Sequence, residues 1–184
     1  MDFGHLILFR VSDFVLRICN IKAVSPLQSP GVLAESLVLW ARIHYAVVIM
    51  RILLWYCTRF DWAPTIKTLD DAPAVAAAKN EDTIVAFIHV EPGDSVPGSS
   101  AETKLVKNAK WLARKWDTKQ IILHSFTHLG EHKAEPEQAK ALIDGVEKRL
   151  LAAGYTAHQT PYGYFNDLVI EAPGHALARI YKEL

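Results

Sequence analysis

Two short apolar runs with an amphipathic stretch between them restrict the folds open to this chain more than any other feature. Thr83-Ile84-Val85-Ala86-Phe87-Ile88-His89-Val90-Glu91 reads as a strand: it is dense in β-branched and aromatic residues and is closed by the turn signal Pro92-Gly93-Asp94. Gln120-Ile121-Ile122-Leu123 reads as a second, buried strand whose end delivers His124-Ser125-Phe126-Thr127-His128-Leu129-Gly130-Glu131-His132 to a surface loop. Between the two, Ser99-Ser100-Ala101-Glu102 has the pattern of a capping box, and Leu105, Val106, Ala109, Leu112, Ala113 and Trp116 follow at helical spacing. Lys104, Lys107, Lys110, Arg114 and Lys115 take the opposite face, which is a solvated face by default and a phosphate-facing one if RNA lies against it. An alternation of this kind calls for a sheet covered by helices, with chemistry placed where the strands end.

The other elements fit that frame. Arg51-Ile52-Leu53-Leu54-Trp55-Tyr56-Cys57 is a first core strand ending in Thr58-Arg59-Phe60-Asp61, and Thr65 to Leu69 has the alternation of a short edge strand. Pro136, flanked by Glu135 and Glu137, opens a second helix that runs through Leu142, Ile143, Val146 and Leu150 and stops at Gly154. Tyr155 to Thr160 is a strand, Pro161-Tyr162-Gly163-Tyr164 a turn or bulge, and Phe165 to Ala172 the strand returning from it as a hairpin. Pro173-Gly174-His175 breaks the chain before a last helix, Ala176 to Leu184. The expected fold is α/β: one mixed β-sheet covered by helices, over residues 50–184.

Residues 1–49 differ in character. They are rich in Leu, Ile and Val, with charges at irregular intervals and a break at Ser25-Pro26-Leu27-Gln28-Ser29-Pro30-Gly31. No uncharged apolar run approaches the roughly 20 residues that span a bilayer. Asp2, Asp13 and Arg17 are wrong for a signal peptide. Val32 to Ile49 could form a weak interfacial helix with Arg42 and His44 on its polar side. The favoured expectation is that residues 1–49 are upstream sequence read through from an earlier start, and that the domain begins at Met50.

Lys and Arg number 20 against 20 Asp and Glu, so the chain has no global basic field for duplex binding, and an RNA end would have to be held in a local pocket. Cys19 and Cys57 form no metal or redox motif and suit a reducing cytoplasm. His124, His128 and His132 recur at every fourth residue, which on a helix would suggest a metal. The stretch favours extended structure, however, and no carboxylate or cysteine stands beside the histidines at ligand spacing, so no metal is expected. His124 and His132 read as structural and exposed residues, and His128 as the functional one.

At the level of motifs, residues 50–184 resemble the amino-terminal editing domain of archaeal-type threonyl-tRNA synthetase. The resemblance rests on Met50-Arg51-Ile52-Leu53-Leu54, Val85-Ala86-Phe87-Ile88-His89-Val90-Glu91, Ser125-Phe126-Thr127-His128-Leu129, Gly154-Tyr155, Thr160-Pro161-Tyr162-Gly163-Tyr164-Phe165 and Gly174-His175-Ala176-Leu177-Ala178. It implies a D-aminoacyl-tRNA deacylase-like fold, a homodimer, and hydrolysis of serine from tRNA wrongly charged for threonine. It implies no cofactor: zinc and ATP belong to synthetase domains outside this match. The family's pocket histidine corresponds to His128. Its Pro-Phe-Gly-Tyr-Tyr-Lys motif aligns with Pro161, Tyr162, Gly163, Tyr164, Phe165 and Asn166, so its lysine is Asn166 here, and the acidic residue of its Gly-His-Pro-Leu-Ala-Glu motif is Arg179. A lysine stabilises charge developing on an ester carbonyl far better than an amide does, and Arg179 would restore a positive charge from the opposite wall. The family's use of the terminal ribose hydroxyl to assist attack would let activity survive without a strong protein base.

Two functions follow. The first is a free-standing, cytoplasmic trans-editing deacylase acting on the 3′ end of mischarged tRNA, with His128, Asn166 and Arg179 as reacting-pocket residues and Pro161, Tyr162, Gly163 and Tyr164 binding substrate. The second is a non-catalytic binding module for an aminoacyl-adenosine end or a small nucleotide. Each residue also has a plain explanation: Tyr162 and Tyr164 as aromatic packing, Asn166 as a turn amide, His175 as a helix-start residue.

Overall fold

The computed structural model describes residues 49–96 and 99–184. The expectations made for residues 1–48, whether read-through sequence or an interfacial helix, lie outside the described residues. What is described is a six-stranded mixed sheet with two helices. The strands are β1 (Arg51–Lys67), β2 (Ala78–His89), β3 (Gln120–Ser125), β4 (Thr156–Gln159), β5 (Tyr164–Glu171) and β6 (Arg179–Glu183); the helices are α1 (Ala101–Lys115) and α2 (Pro136–Ala152).

The order across the sheet is β4-β3-β2-β1-β5, with β6 also paired to β1. β2, β3 and β4 run parallel and the ladders on β1 are antiparallel. β2 and β3 read as unbroken apolar runs because both of their faces are covered. Ile84, Ala86, Ile88, Ile121 and Leu123 pack under Leu105, Ala109 and Leu112 of α1 and Ile143, Val146 and Leu150 of α2. Val85, Phe87 and Ile122 point the other way, into a smaller cluster with Cys57, Phe60 and Trp62 of β1.

Four expectations are corrected. β1 does not end near Cys57: it continues through Thr65 to Lys67 as one strand of 17 residues. Its alternation changes phase between Cys57 and Phe60, which share a cluster, and Asp82 on the neighbouring strand sits at φ 46° beside that change. The hairpin between β4 and β5 is not formed. β4 lies at one edge of the sheet and β5 pairs with the far half of β1, so residues 160–163 cross the face that the helices leave open. Pro161 cannot extend a ladder, and Gly163, at φ 78°, turns the chain towards β1, its carbonyl accepting from Thr68 N at 2.8 Å and Leu69 N at 3.4 Å.

The expected last helix is instead β6. Helix-forming residues are held extended there because Arg51 to Trp55 would otherwise carry an unpaired edge; the ladder from Arg51↔Glu183 to Trp55↔Arg179 fills it. Finally, the capping box at Ser99 to Glu102 is absent. Ser100 makes no side-chain cap, Ser99 Oγ accepts from Ala101 N at 3.2 Å, and Glu102 accepts instead from Arg149 of α2 at 2.8 Å.

Candidate functional site

The crossing segment 160–163 roofs a cavity of about 540 Å³ against the open face of the sheet. Its floor is His124, Phe126 and Leu168, its rim Thr68 and Leu69. The loop leaving β3 contributes Thr127, His128 and Lys133, and β5 contributes Tyr164, Phe165 and Asn166. Strand alternation explains this division: Ile121 and Leu123 face the helices, which turns Ile122 and His124 to the cavity side.

The roof is fixed at several points. Thr160 N donates to Leu123 O at 3.0 Å, and Thr160 Oγ1 shares a hydrogen bond of 2.8 Å with His124 Nδ1. The His124 ring sits edge-on to Phe87, with centroids 5.1 Å apart, and burial pushes its pKa down to about 4, so it enters the cavity wall as a neutral imidazole. Tyr162 donates its hydroxyl to Pro136 O at 2.8 Å; burial, assisted by the charge of Glu137, holds that phenol above its usual pKa and keeps it a donor. Tyr164 donates to Pro73 O at 3.2 Å. Gly163 is needed twice over, by its positive φ and because a Cβ there would lie 3.0 Å from the side chains of Leu69 and Ala72.

Pro161, Tyr162, Gly163, Tyr164, Asn166 and His128 are thus brought to one cavity. His128 stands exposed on the loop with its ring against Phe126, 5.3 Å between centroids. Asn166 donates through Nδ2 to Tyr164 O at 3.2 Å, while its buried Oδ1 has no partner among the described residues. That orphaned acceptor, in a cavity wall, suits a ligand that brings a hydroxyl, a water or an ammonium.

Arg179 is not brought to this cavity. It lies at the start of β6 opposite Trp55, exposed, with its guanidinium 5.9 Å from the Trp55 ring centre, whereas Asn166 lies opposite Pro64. At about 3.3 Å per residue these points of β1 are about 30 Å apart along the strand. The expected restoring charge from Arg179 is therefore absent from the wall. The cation that does line the cavity is Lys133, which sequence reading passed over because it sits in the aperiodic segment Gly130–Glu135. Thr160 was also passed over, since its role needs the unforeseen crossing. His124, His128 and His132 do not share a face: the first is buried in β3 and the others are exposed on the loop. Among the described residues no group of three or more His, Cys, Asp and Glu is placed to hold a metal.

Comparison with known proteins falls on the same residues. The family model described as the archaea-specific editing domain of threonyl-tRNA synthetase matches residues 50–184. The threonine–tRNA ligase of Cenarchaeum symbiosum is 30% identical over 134 residues, 72% of this chain and 21% of that protein. That of Nitrosopumilus maritimus is 27% identical over 136 residues, 72% and 21%, and that of Thermofilum pendens 25% over 140 residues, 73% and 22%. The chain therefore spans about a fifth of the length of these curated relatives. Two solved structures are similar in fold: the c-Myc DNA Unwinding Element Binding Protein, with a TM-score of 0.53 and 11% identity over 73% of this chain and 98% of that one, and a probable eukaryotic D-amino acid tRNA deacylase, with a TM-score of 0.53 and 12% identity over 74% and 100%. The architecture is that of the D-aminoacyl-tRNA deacylase fold.

Proposed function

The chain belongs to the family of the archaea-specific editing domain of threonyl-tRNA synthetase, and from that premise we propose that it is a trans-editing deacylase that hydrolyses the ester of a mischarged tRNA, serine on tRNA for threonine in the first place. The observation that supports this most is the roofed cavity, where His128, Lys133 and the unpartnered Oδ1 of Asn166 line one space under the 160–163 crossing. In this reading the terminal adenosine lies against Tyr162 and Tyr164. Water attacks the ester carbonyl, the carbon–oxygen bond to ribose breaks, one water proton ends on the ribose oxygen, the other is released to solvent, and the freed amino acid leaves as a carboxylate.

Lys133 supplies the positive charge for the oxyanion that builds up on attack. Asn166 Oδ1 accepts from the attacking water or from the substrate ammonium, and His128 serves proton transfer at the mouth. The partner is the 3′ end of tRNA, and cytoplasmic action follows from that partner. Among the described residues no helix is long and apolar enough to cross a membrane. A homodimer is also proposed: Ile66, Phe165, Val169, Ile170 and Tyr181 are exposed along β1, β5 and β6, and light scattering on the purified chain should give twice the monomer mass.

The deciding assay is hydrolysis across a panel of mischarged tRNAs. Serine on the threonine tRNA should be released 10–200-fold faster than threonine, about the discrimination one methyl group gives. Retained tRNA binding with no hydrolysis of any member would favour the second reading, a binding module. That reading draws on the fact that, among the described residues, no carboxylate lines the cavity and the expected Arg179 lies elsewhere.

A further inference from the structure

The loop that carries His128 and Lys133 is irregular, yet it is fastened to the end of β2 from inside. Phe126 N donates to Ile88 O at 2.8 Å where the loop leaves β3, and Ala134 N donates to Val90 O at 2.9 Å where it ends. Between these points, among the described residues, the backbone is held by one side chain. His89, 1% exposed, accepts from Leu129 N through Nδ1 at 3.3 Å and meets His132 O through Nε2 at 2.6 Å. An acceptor at one nitrogen and a carbonyl at the other require the tautomer with hydrogen on Nε2.

The two anchored residues have a further property: Leu129 follows His128 in sequence, and His132 precedes Lys133. Each hydrogen bond of the buried imidazole thus fixes the backbone next to one of the loop's two ionisable cavity residues. Beneath the ring, Glu91, 2% exposed, pairs with Arg51, and its Oε1 lies 3.8 Å from His89 Nε2. The loop comes so close here that a Cβ on Gly130 would lie 2.7 Å from Glu91 Oε1 and 3.1 Å from His89 Nε2.

We propose that His89 is a positioning residue for the reaction: its two hydrogen bonds clamp Leu129 and His132 and so hold His128 and Lys133 at the cavity. The inference rests on the deacylase reading for its catalytic consequence and on geometry alone for the clamp. His89 touches no substrate; it acts through the loop. A glutamine in its place carries one acceptor and one donor and can remake both bonds, whereas a phenylalanine fills the volume and makes neither.

The test compares His89→Phe and His89→Gln in the full chain by amide hydrogen exchange and by hydrolysis of serine-charged threonine tRNA. In His89→Phe the Leu129 amide should exchange at least about tenfold faster while amides inside β2 and β3 change less than about twofold, and kcat should fall about tenfold with KM within about twofold. His89→Gln should recover most of both. Unchanged protection at Leu129 in His89→Phe overturns the clamp, as does equal acceleration across the whole sheet, or a loss in His89→Gln as large as in His89→Phe. Should His89→Phe not fold, His89→Leu carries the exchange test, since it is apolar and makes neither bond, and an unchanged Leu129 amide there also overturns the clamp. If the native chain hydrolyses no charged tRNA, the deacylase reading fails while exchange at Leu129 still decides the clamp.

Discussion

Replacing His124 with glutamine removes the one titration in the cavity wall whose size the structure sets. In the unfolded chain this imidazole takes a proton near pH 6.5; in the native protein burial against Phe87 and Phe60 delays protonation to about 4. Between those values the unfolded state binds more protons than the native one, so stability falls as pH falls through the window and is fully present above it. Two and a half pKa units correspond to about 3 kcal/mol at full expression, of which about 2 kcal/mol is lost between pH 7 and pH 5. His124→Gln keeps a hydrogen-bonding group for Thr160 but cannot titrate. It should be less stable than the native protein at pH 7, by about 1–2 kcal/mol for lost ring packing, and its stability should change with pH correspondingly less. Urea unfolding of both proteins at pH 7 and pH 5 measures the difference between the two slopes. Equal pH dependence in the two proteins would show that His124 is not shielded from protonation, and the neutral cavity floor would have to be given up.

Other perturbations separate chemistry from architecture. His128→Ala should cut hydrolysis by about a hundredfold or more, the scale of a lost general acid or base, with stability within about 0.5 kcal/mol, because the side chain is exposed on a loop; a matching fall in melting temperature would make it structural. Asn166→Lys and Arg179→Glu should act independently on the rate, to within about 0.5 kcal/mol, since they lie opposite distant parts of β1; a strongly non-additive double variant would place both in one pocket. Gly163→Ala should destabilise by about 1–3 kcal/mol, read by urea unfolding, through its positive φ and the contact with Leu69 and Ala72. Removing residues 1–49 should leave melting temperature and hydrolysis rate unchanged, and a clear drop in either would assign those residues a part in the domain.

The central elements were legible because their patterns are local. Ile84 to Ile88 and Ile121 to Leu123 are apolar on both faces, and α1 and α2 repeat at helical spacing, so four of the core elements can be named from residues alone. The errors lie where a distant partner outweighs local preference. Ala176 to Glu183 contains good helix formers, but the open edge at Arg51 to Trp55 draws Arg179–Glu183 into a strand. The turn signal Pro161-Tyr162-Gly163-Tyr164 marks a turn at residues 162–163, but its residues do not say which strand follows next in space. The site was legible where motif residues adjoin, at Pro161 to Asn166 and at His128. It was not legible at Lys133, Thr160 and His89, whose roles exist only after the loop and the crossing have been folded onto the sheet.

β1 is the rail on which the sheet is assembled, and its outer edge is shared end to end by β6 and β5, the last strands in sequence. That arrangement has a kinetic cost. β1 and β2 can pair across a short connection, and the β2–α1–β3 unit can close on local contacts, but the β1–β6 ladder joins Arg51 to Glu183 and must pay for closing a very long loop. During synthesis the Arg51–Trp55 edge of β1 therefore waits unpaired until Arg179–Glu183 has emerged. Such an intermediate is a template for pairing with another chain. Slow refolding with a concentration-dependent loss of yield is the signature this topology should leave.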